Sequence, residues 1–536
     1  VFQRSDLAGR ELVWLLDLTL GGRVIYLAKQ AEEVTIEGET FNYLPGLDWG
    51  SSIADGFDLF ADSPSLKQAS LTLYLEGIED VPAMIAEGHD LSAATGKLWL
   101  WAKGTGDRVS FVDGYVADPE YGANDEPVTL TLEEVPFEDN ALFPPSTARV
   151  DSDTWPDAAD SLDLEFYPWI IGHPGVAPAV AAAPRVTGSP AYLVDTGTDK
   201  VLVAGHPVHL PLVGPQVTIW DMSADPVVST DSALGVGADG SGRQVTTAFL
   251  PVGWDVSGES EYWCAWPDTQ GGVIGHDGAP IRGAGEVLRW ALEQSSVRWD
   301  RGRVAAIIPE LAGFKIDAAI VAGPDSRFSP LSWVEEHLLP ILPVSARVGP
   351  DGLYFVPFNY EATAADSVAD ISADRRQMLR DAAVLYSSRG DVVNEFRLGY
   401  KMRADDDKPS STLILTGSDQ TLDDISGAIP NLSCRISHTR FGYRREDLAT
   451  SVVYDSATAA KICLWRAAAF ALPSRQLSYR VRKDFGHLVP GNVVTLTDSE
   501  IGLDSQACLV DQVDWSEDAW LGFTFRAIDL PARDSF

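Results

Sequence analysis

Cysteine is scarce in this chain of 536 residues: only Cys264, Cys434, Cys463 and Cys508, far apart and with no CxxC pair. That spacing supports neither a structural zinc site nor a secreted disulfide scaffold. Positive charge is also in short supply. Against 78 Asp and Glu stand 40 Lys and Arg, giving a formal net charge of -38. General binding to a nucleic-acid backbone rests on Lys and Arg neutralising phosphate, so a duplex or strand binder is disfavoured. An acidic lining would discourage adhesion of DNA passing nearby, although acidity fits a high-salt environment or plain solubility equally well. No run of 18 apolar residues and no secretory apolar segment is present, and the chain is expected to be soluble when made and mostly reduced. It begins with Val1 instead of Met, which leaves processing or a leader open.

What the chain does contain is material for several cores. Its length exceeds one ordinary hydrophobic core, and 45% hydrophobic residues with 16 Trp support three or four folded units. In residues 1–150, the segments 11–20 (ELVWLLDLTL), 70–75 (SLTLYL), 97–101 (KLWLW), 109–116 (VSFVDGYV) and 127–132 (PVTLTL) have strand chemistry with Gly, Asp or Pro between them. They predict a β-sandwich or partly open barrel, in which Thr72, Tyr74 and Trp99 specify sheet packing. Pro, Ser and Asp interrupt the pattern between Phe143 and Asp160. Residues 151–280 then read as a second, mainly β accessory region or insert.

The period changes in residues 281–395. Val287, Leu288, Ala291 and Leu292 share one helical face, and Val304, Ile307, Ile308 and Leu311 repeat it. Ser329 caps a further helix with Pro330 in its first turn and Pro340 at its stop, and 314–322 reads as a short strand, giving an α+β module. Residues 396–536 read as β-rich, with an extended run at 392–398 across the boundary and another at 411–415. One helix at 455–472 is capped by Asp455 or Ser456, and its apolar residues suit a core, an intersubunit seam or a membrane-active segment. The closing runs 477–482 (LSYRVR), 486–496 (GHLVPGNVVTL) and 510–525 (VDQVDWSEDAWLGFTF) predict strands. Pro490-Gly491 supplies a type II turn before the next strand. The fold class is thus multidomain and mainly β, with an α+β middle module and barrel-like or sandwich-like flanking domains.

Chemistry-bearing residues are many but do not converge in sequence. Asp405-Asp406-Asp407 reads as a solvated loop without the arrangement of an EF-hand. Gly235, Gly237 and Gly240 satisfy GxGxxG spacing, yet the run 244–250 after them is extended instead of helical, and no Walker-type lysine is present, so a surface hairpin is expected. His173, His206, His209, His276 and Cys264 form no short metal motif. Asp255, Glu259, Glu261, Trp263 and Trp266 are the local set that would serve a glycosidase, which needs two carboxylates flanking a bond and aromatic rings against sugar. No Ser lies in GxSxG, and no Cys has a papain-like surround. No residue is assigned a catalytic, cofactor-binding or metal role, and the chain is not expected to be an enzyme.

The closing strand, PG turn, valine-rich strand and final extended run resemble the end of baseplate or tail-tip hub proteins of tailed bacteriophages. The succession Val287, Trp290, Leu292, Ile307, Leu311, Trp333, Leu339, Leu342 and Pro343, followed by Gly349-Pro350-Asp351-Gly352-Leu353, resembles the helix-containing middle of the same family. The likeness spans the N-terminal module and residues 281–536, with 151–280 less familiar. It implies two related β-modules per subunit and a homotrimer forming a pseudo-sixfold ring. Such a ring would adapt a sixfold tail tube or distal tail ring to a threefold tip carrying a central spike, fibre or tip protein. DNA would pass transiently without sequence-specific binding. The implied place is the distal end of the virion tail, assembled in the host bacterial cytoplasm, without stable membrane insertion. A carbohydrate-binding receptor-recognition component of a tail and a secreted carboxylate-dependent glycoside hydrolase are the alternatives.

Overall fold

The computed structural model describes residues 11–36, 38–49, 53–56, 68–74, 87–120, 127–134, 139–158, 162, 164–175, 189–208, 216–224, 228–254, 261–266, 272, 279–322, 327–349, 351–380, 384–387, 389–403, 408–417, 428–515 and 520–528. The protein is multidomain and mainly β. Its first sheet has nine strands in the order Glu32–Ile36, Glu39–Pro45, Arg23–Ala28, Leu12–Leu20, Thr95–Ala102, Arg108–Glu120, Val128–Glu134, Gln68–Leu73 and Leu47–Trp49. Alternation places Leu16, Leu18, Leu98, Leu100, Leu130 and Leu132 in one core, as period-two side chains require. Tyr74 falls just past the end of its strand: its N–H donates to the Gly46 carbonyl and the residue is 47% exposed, so it adds little to sheet packing.

The closing sheet is built mainly from Asp370–Ser372, Val493–Asp498, Leu503–Trp515, Trp520–Ala527, Arg475–Arg482 and Met378–Leu379, in that order. Its core is not its own. Val494, Leu496, Val510, Val513 and Phe523 pack with the leucines of the first sheet. Trp515, fully buried, meets Trp14 and Phe111 edge-on at ring-centre distances of 5.9 and 5.2 Å. Strand Ile53–Gly56 leaves the first sheet to pair with Leu503–Trp515, Ile53 opposite Trp515 and Gly56 opposite Gln512.

The other face of the closing sheet is covered as well. Val493 and Leu509 point into the core of the helical middle, whereas their neighbours Val494 and Val510 point toward the first sheet. Coverage on both faces accounts for the near-continuous apolar run VVTL, which alternation alone would not produce. At the turn feeding this strand, Asn492 N–H donates to the Val489 carbonyl at 3.1 Å and Gly491 takes φ +91°, the geometry expected for Pro490-Gly491 in a type II turn. A Cβ at Gly491 would sit 2.2 Å from Val356 Cγ1.

The middle holds helices α1 (Ala284–Gln294), α2 (Arg301–Leu311), α3 (Pro330–His337), α4 (Leu432–Phe441) and α5 (Ser456–Phe470). Glu286 accepts from the Gly283 N–H at the start of α1, Ser329 Oγ accepts from Ser332 N–H at the start of α3, and Asp455 accepts from Thr458 N–H at the start of α5. Helix α5 packs on a four-stranded sheet ordered Ala428–Pro430, Pro409–Thr416, Glu395–Met402, Arg445–Ala449. The inner faces of α1, α2, α3 and α5 meet Phe396, Leu398 and Leu415 in the largest core of the molecule.

Residues 189–265 form a closed barrel of six antiparallel strands: Ser189–Asp195, Lys200–Ala204, Gln244–Phe249, Val228–Ala238, Gln216–Asp221 and Tyr262–Ala265, with the last returning to pair with the first. Closure leaves this sheet without an edge. The barrel joins the middle through Trp169–Ile171, which pairs with Ala318–Ile320. On that short strand Ile170 enters the barrel core and Ile171 the helical core.

Candidate functional site

Several of the described residues that invite a catalytic or metal reading are engaged in holding the fold. The His206 ring is buried against Trp169, with ring centres 5.0 Å apart. Its Nε2 accepts from the Ile170 N–H at 3.0 Å, so Nδ1 carries the proton and donates to the Pro207 carbonyl at 3.0 Å. Burial pulls its pKa down to about 4. Both ring nitrogens are committed, which leaves no lone pair for an ion. His173 is placed elsewhere, its N–H donating to buried Asp317, while His209 and His276 lie outside the described residues. Burial pushes the thiols of Cys264, Cys434 and Cys463 up to about 12, the state of structural rather than reactive cysteines. Among the described residues no group of three His, Cys, Asp or Glu side chains gathers around a point where a metal would sit.

The glycine-rich run 235–242 is a hairpin of the barrel, its strands Val228–Ala238 and Gln244–Phe249 paired antiparallel. Asp239 at its turn accepts from Ser241 N–H, Ser241 Oγ and Arg243 N–H through Oδ1, and from the Tyr167 hydroxyl at 2.9 Å through Oδ2. Trp155 Nε1 donates to the same hydroxyl at 3.0 Å. Burial, and the carboxylate it donates to, hold the Tyr167 phenol well above its ordinary pKa. A carboxylate so filled pins the hairpin to residues 148–167 and has no capacity left for an anion-binding or cation-binding loop.

Of the set suited to a glycosidase, Glu261 accepts from Trp263 Nε1 at 2.7 Å, and Trp266 is buried with its Nε1 donating to Ser189 Oγ at 3.1 Å. A buried indole offers no platform to sugar. Asp255 and Glu259 lie outside the described residues, as do Asp405, Asp406 and Asp407.

No protein-family description and no curated protein sequence matches the chain. Among solved structures it is similar to the tail protein from Neisseria meningitidis MC58, at 10% identity over 96% of each chain with a TM-score of 0.38. It is also similar to the 43 kDa tail protein of prophage MuSo2 from Shewanella oneidensis, at 12% identity over 97% of this chain and 98% of that one, TM-score 0.33. A prophage tail protein from Listeria monocytogenes EGD-e aligns with 64% of this chain and 90% of its own length, at 7% identity and TM-score 0.24. Likeness at these scores does not establish a common fold.

Two polar clusters escaped the sequence reading because their members are far apart in the chain. Asp17 accepts from the Tyr43 hydroxyl at 2.7 Å and from Trp99 Nε1 at 2.8 Å, and Arg108 lies 3.8 Å above the Trp99 ring. Trp99 therefore serves the packing of the first sheet, as its place in KLWLW predicts. Asp317, with no exposed surface, takes a two-pronged bond from Arg282 at 2.7 and 2.9 Å and one from His173 N–H at 2.8 Å. That cluster fastens the root of the barrel to the helical middle. Helix α4 was also missed, since its apolar residues lack helical spacing; the legible signal was Asn431 at its start and Gly442 just past its end.

Proposed function

We propose that this chain is a structural component of a bacteriophage tail, acting as a hub at the tail tip or baseplate. The observation that carries the reading is the closing sheet, buried on one face against the first sheet and on the other against the helical middle. It ties the described ends and centre of the chain into one block, as a load-carrying ring subunit requires. The sequence resemblance of the closing strands and middle module to hub proteins points the same way. Among the described residues, His206, Asp239 and Trp266 are spent on internal bonds, which suits a subunit whose work is shape-complementary assembly. The finer reading is a homotrimer that adapts a sixfold tube to a threefold tip and lines part of the DNA conduit, its acidic surface discouraging adhesion of DNA.

Electron microscopy of the native assembly, with the chain labelled and no symmetry imposed, tests this directly. Three copies in a ring coaxial with a tube are expected. A detached monomer or a peripheral appendage would overturn the hub, and turn attention to glycan binding by the barrel.

A further inference from the structure

A groove opens between α4, α5 and the end of the closing sheet, with a volume of about 470 Å³. That size lies within the usual range for a site that encloses a ligand or an anchoring side chain. Its walls include Tyr360, Phe441, Leu472, Ile528 and the exposed Ala468 of α5, with Arg440 among them. Several arginines meet carboxylates: Arg282 with Asp317, Arg466 with Glu446, and Arg526, which also lines the groove, with Asp511. Arg440 is exposed and forms no ion pair among the described residues, although acidic residues outnumber basic ones about two to one. An exposed arginine next to an apolar hollow suits an apolar group that carries a carboxylate beside it.

The groove continues into a sheet edge. Leu385–Tyr386 pairs with Arg475–Arg482, and no further strand pairs with it among the described residues. Leu385 is 53% exposed, and Tyr386, which also lines the groove, is 66% exposed. An apolar hollow beside an open edge is the arrangement by which extended peptides are captured, main-chain bonds giving affinity and the hollow giving specificity.

We propose that this groove and edge take an extended segment of a partner protein that carries an aliphatic or aromatic anchor next to a carboxylate. The anchor fills the hollow, the carboxylate meets Arg440, and the backbone pairs with Leu385–Tyr386. A two-fold pairing of this face with itself fits less well, because it sets Arg440 against its own copy. The proposal stands on the groove itself and does not rest on the tail reading.

Fluorescence anisotropy of the full chain with a labelled hexapeptide Gly-Asp-Leu-Phe-Glu-Gly, and with its counterpart bearing Lys in place of both acids, tests it. The acidic probe is expected to bind at least about tenfold more tightly than the basic one. Arg440→Glu, a surface change, is expected to remove that preference, and Ala468→Trp to abolish binding of both by filling the hollow. Equal affinity for the two probes, no binding up to about 1 mM, or undiminished binding in Ala468→Trp would overturn the proposal. So would sedimentation showing self-association that Ala468→Trp abolishes, since the occupant would then be a second copy.

Discussion

The barrel and the closing sheet use similar strands to opposite ends. The six barrel strands come from one contiguous stretch, 189–265, and close on themselves. They surround their own core of Val201, Val203, Val217, Ile219 and Cys264. The closing sheet draws strands from 53–56, 370–386 and 475–527, and borrows its core from partners on both sides. The difference teaches where independence lies. The barrel meets the rest through a three-residue pairing, the Asp317 cluster, the bonds of His206 and Asp239 to residues 167–170, and a small core with Val150 and Tyr167, whereas the first sheet, the closing sheet and the helical middle share large cores.

The sharpest way to break this contrast is Trp515→Ala. Removing a fully buried indole from between Trp14 and Phe111 is expected to cost about 4 kcal/mol. Chemical denaturation followed by hydrogen exchange should show both large sheets losing protection in step while barrel amides hold theirs; loss confined to the closing sheet would refute the shared core. Acid is the corresponding probe of the barrel's joint. The folded-state pKa of His206 is depressed to about 4, so the stability its neutral form contributes is complete above the ordinary value near 6.5 and is lost as pH falls through that window toward 4. The loss is expected to be on the order of 3 kcal/mol. His206→Gln keeps an acceptor for Ile170 N–H without a titrating ring, and should flatten that part of the pH profile.

Smaller changes sharpen the comparison. Gly491→Ala forces a side chain onto positive φ and into Val356, and is expected to destabilise the body by about 2 kcal/mol, read as a lower melting temperature with the barrel unaffected. Tyr167→Phe deletes the hydroxyl between Trp155 and Asp239, and should cost about 1 kcal/mol. Faster amide exchange in the hairpin turn at 239–242, with the body unchanged, is the result that would place this cluster on the barrel side.

Much of the secondary structure was legible because it obeys local rules. Leu12–Leu20 and Val128–Glu134 carry strand residues in alternation, α1 presents Val287, Leu288, Ala291 and Leu292 on one face, and Ser329-Pro330 and Pro490-Gly491 fix a helix start and a turn by backbone chemistry alone. The run 392–398 reads as extended, yet the strand begins only at Glu395, since Asn394 is drawn to the backbone around Arg444 and Gly442. Among candidate sites, the sequence showed which residue types were present and that none formed a short catalytic motif. It did not show what each was for, because His206, Asp239 and Trp266 meet partners tens of residues away.

By itself, then, the sequence determined much of the strand and helix identity, α4 excepted, with capping and turn chemistry, the mainly β class and the strong negative charge, all of which depend on composition or on neighbours a few residues apart. Only the tertiary structure decided that 53–56 crosses to the closing sheet, that Val493 and Val494 serve different cores, that 189–265 closes into a barrel, and that Arg440 borders an apolar groove. Those outcomes depend on contacts between residues up to several hundred positions apart, whose pairing no local pattern encodes.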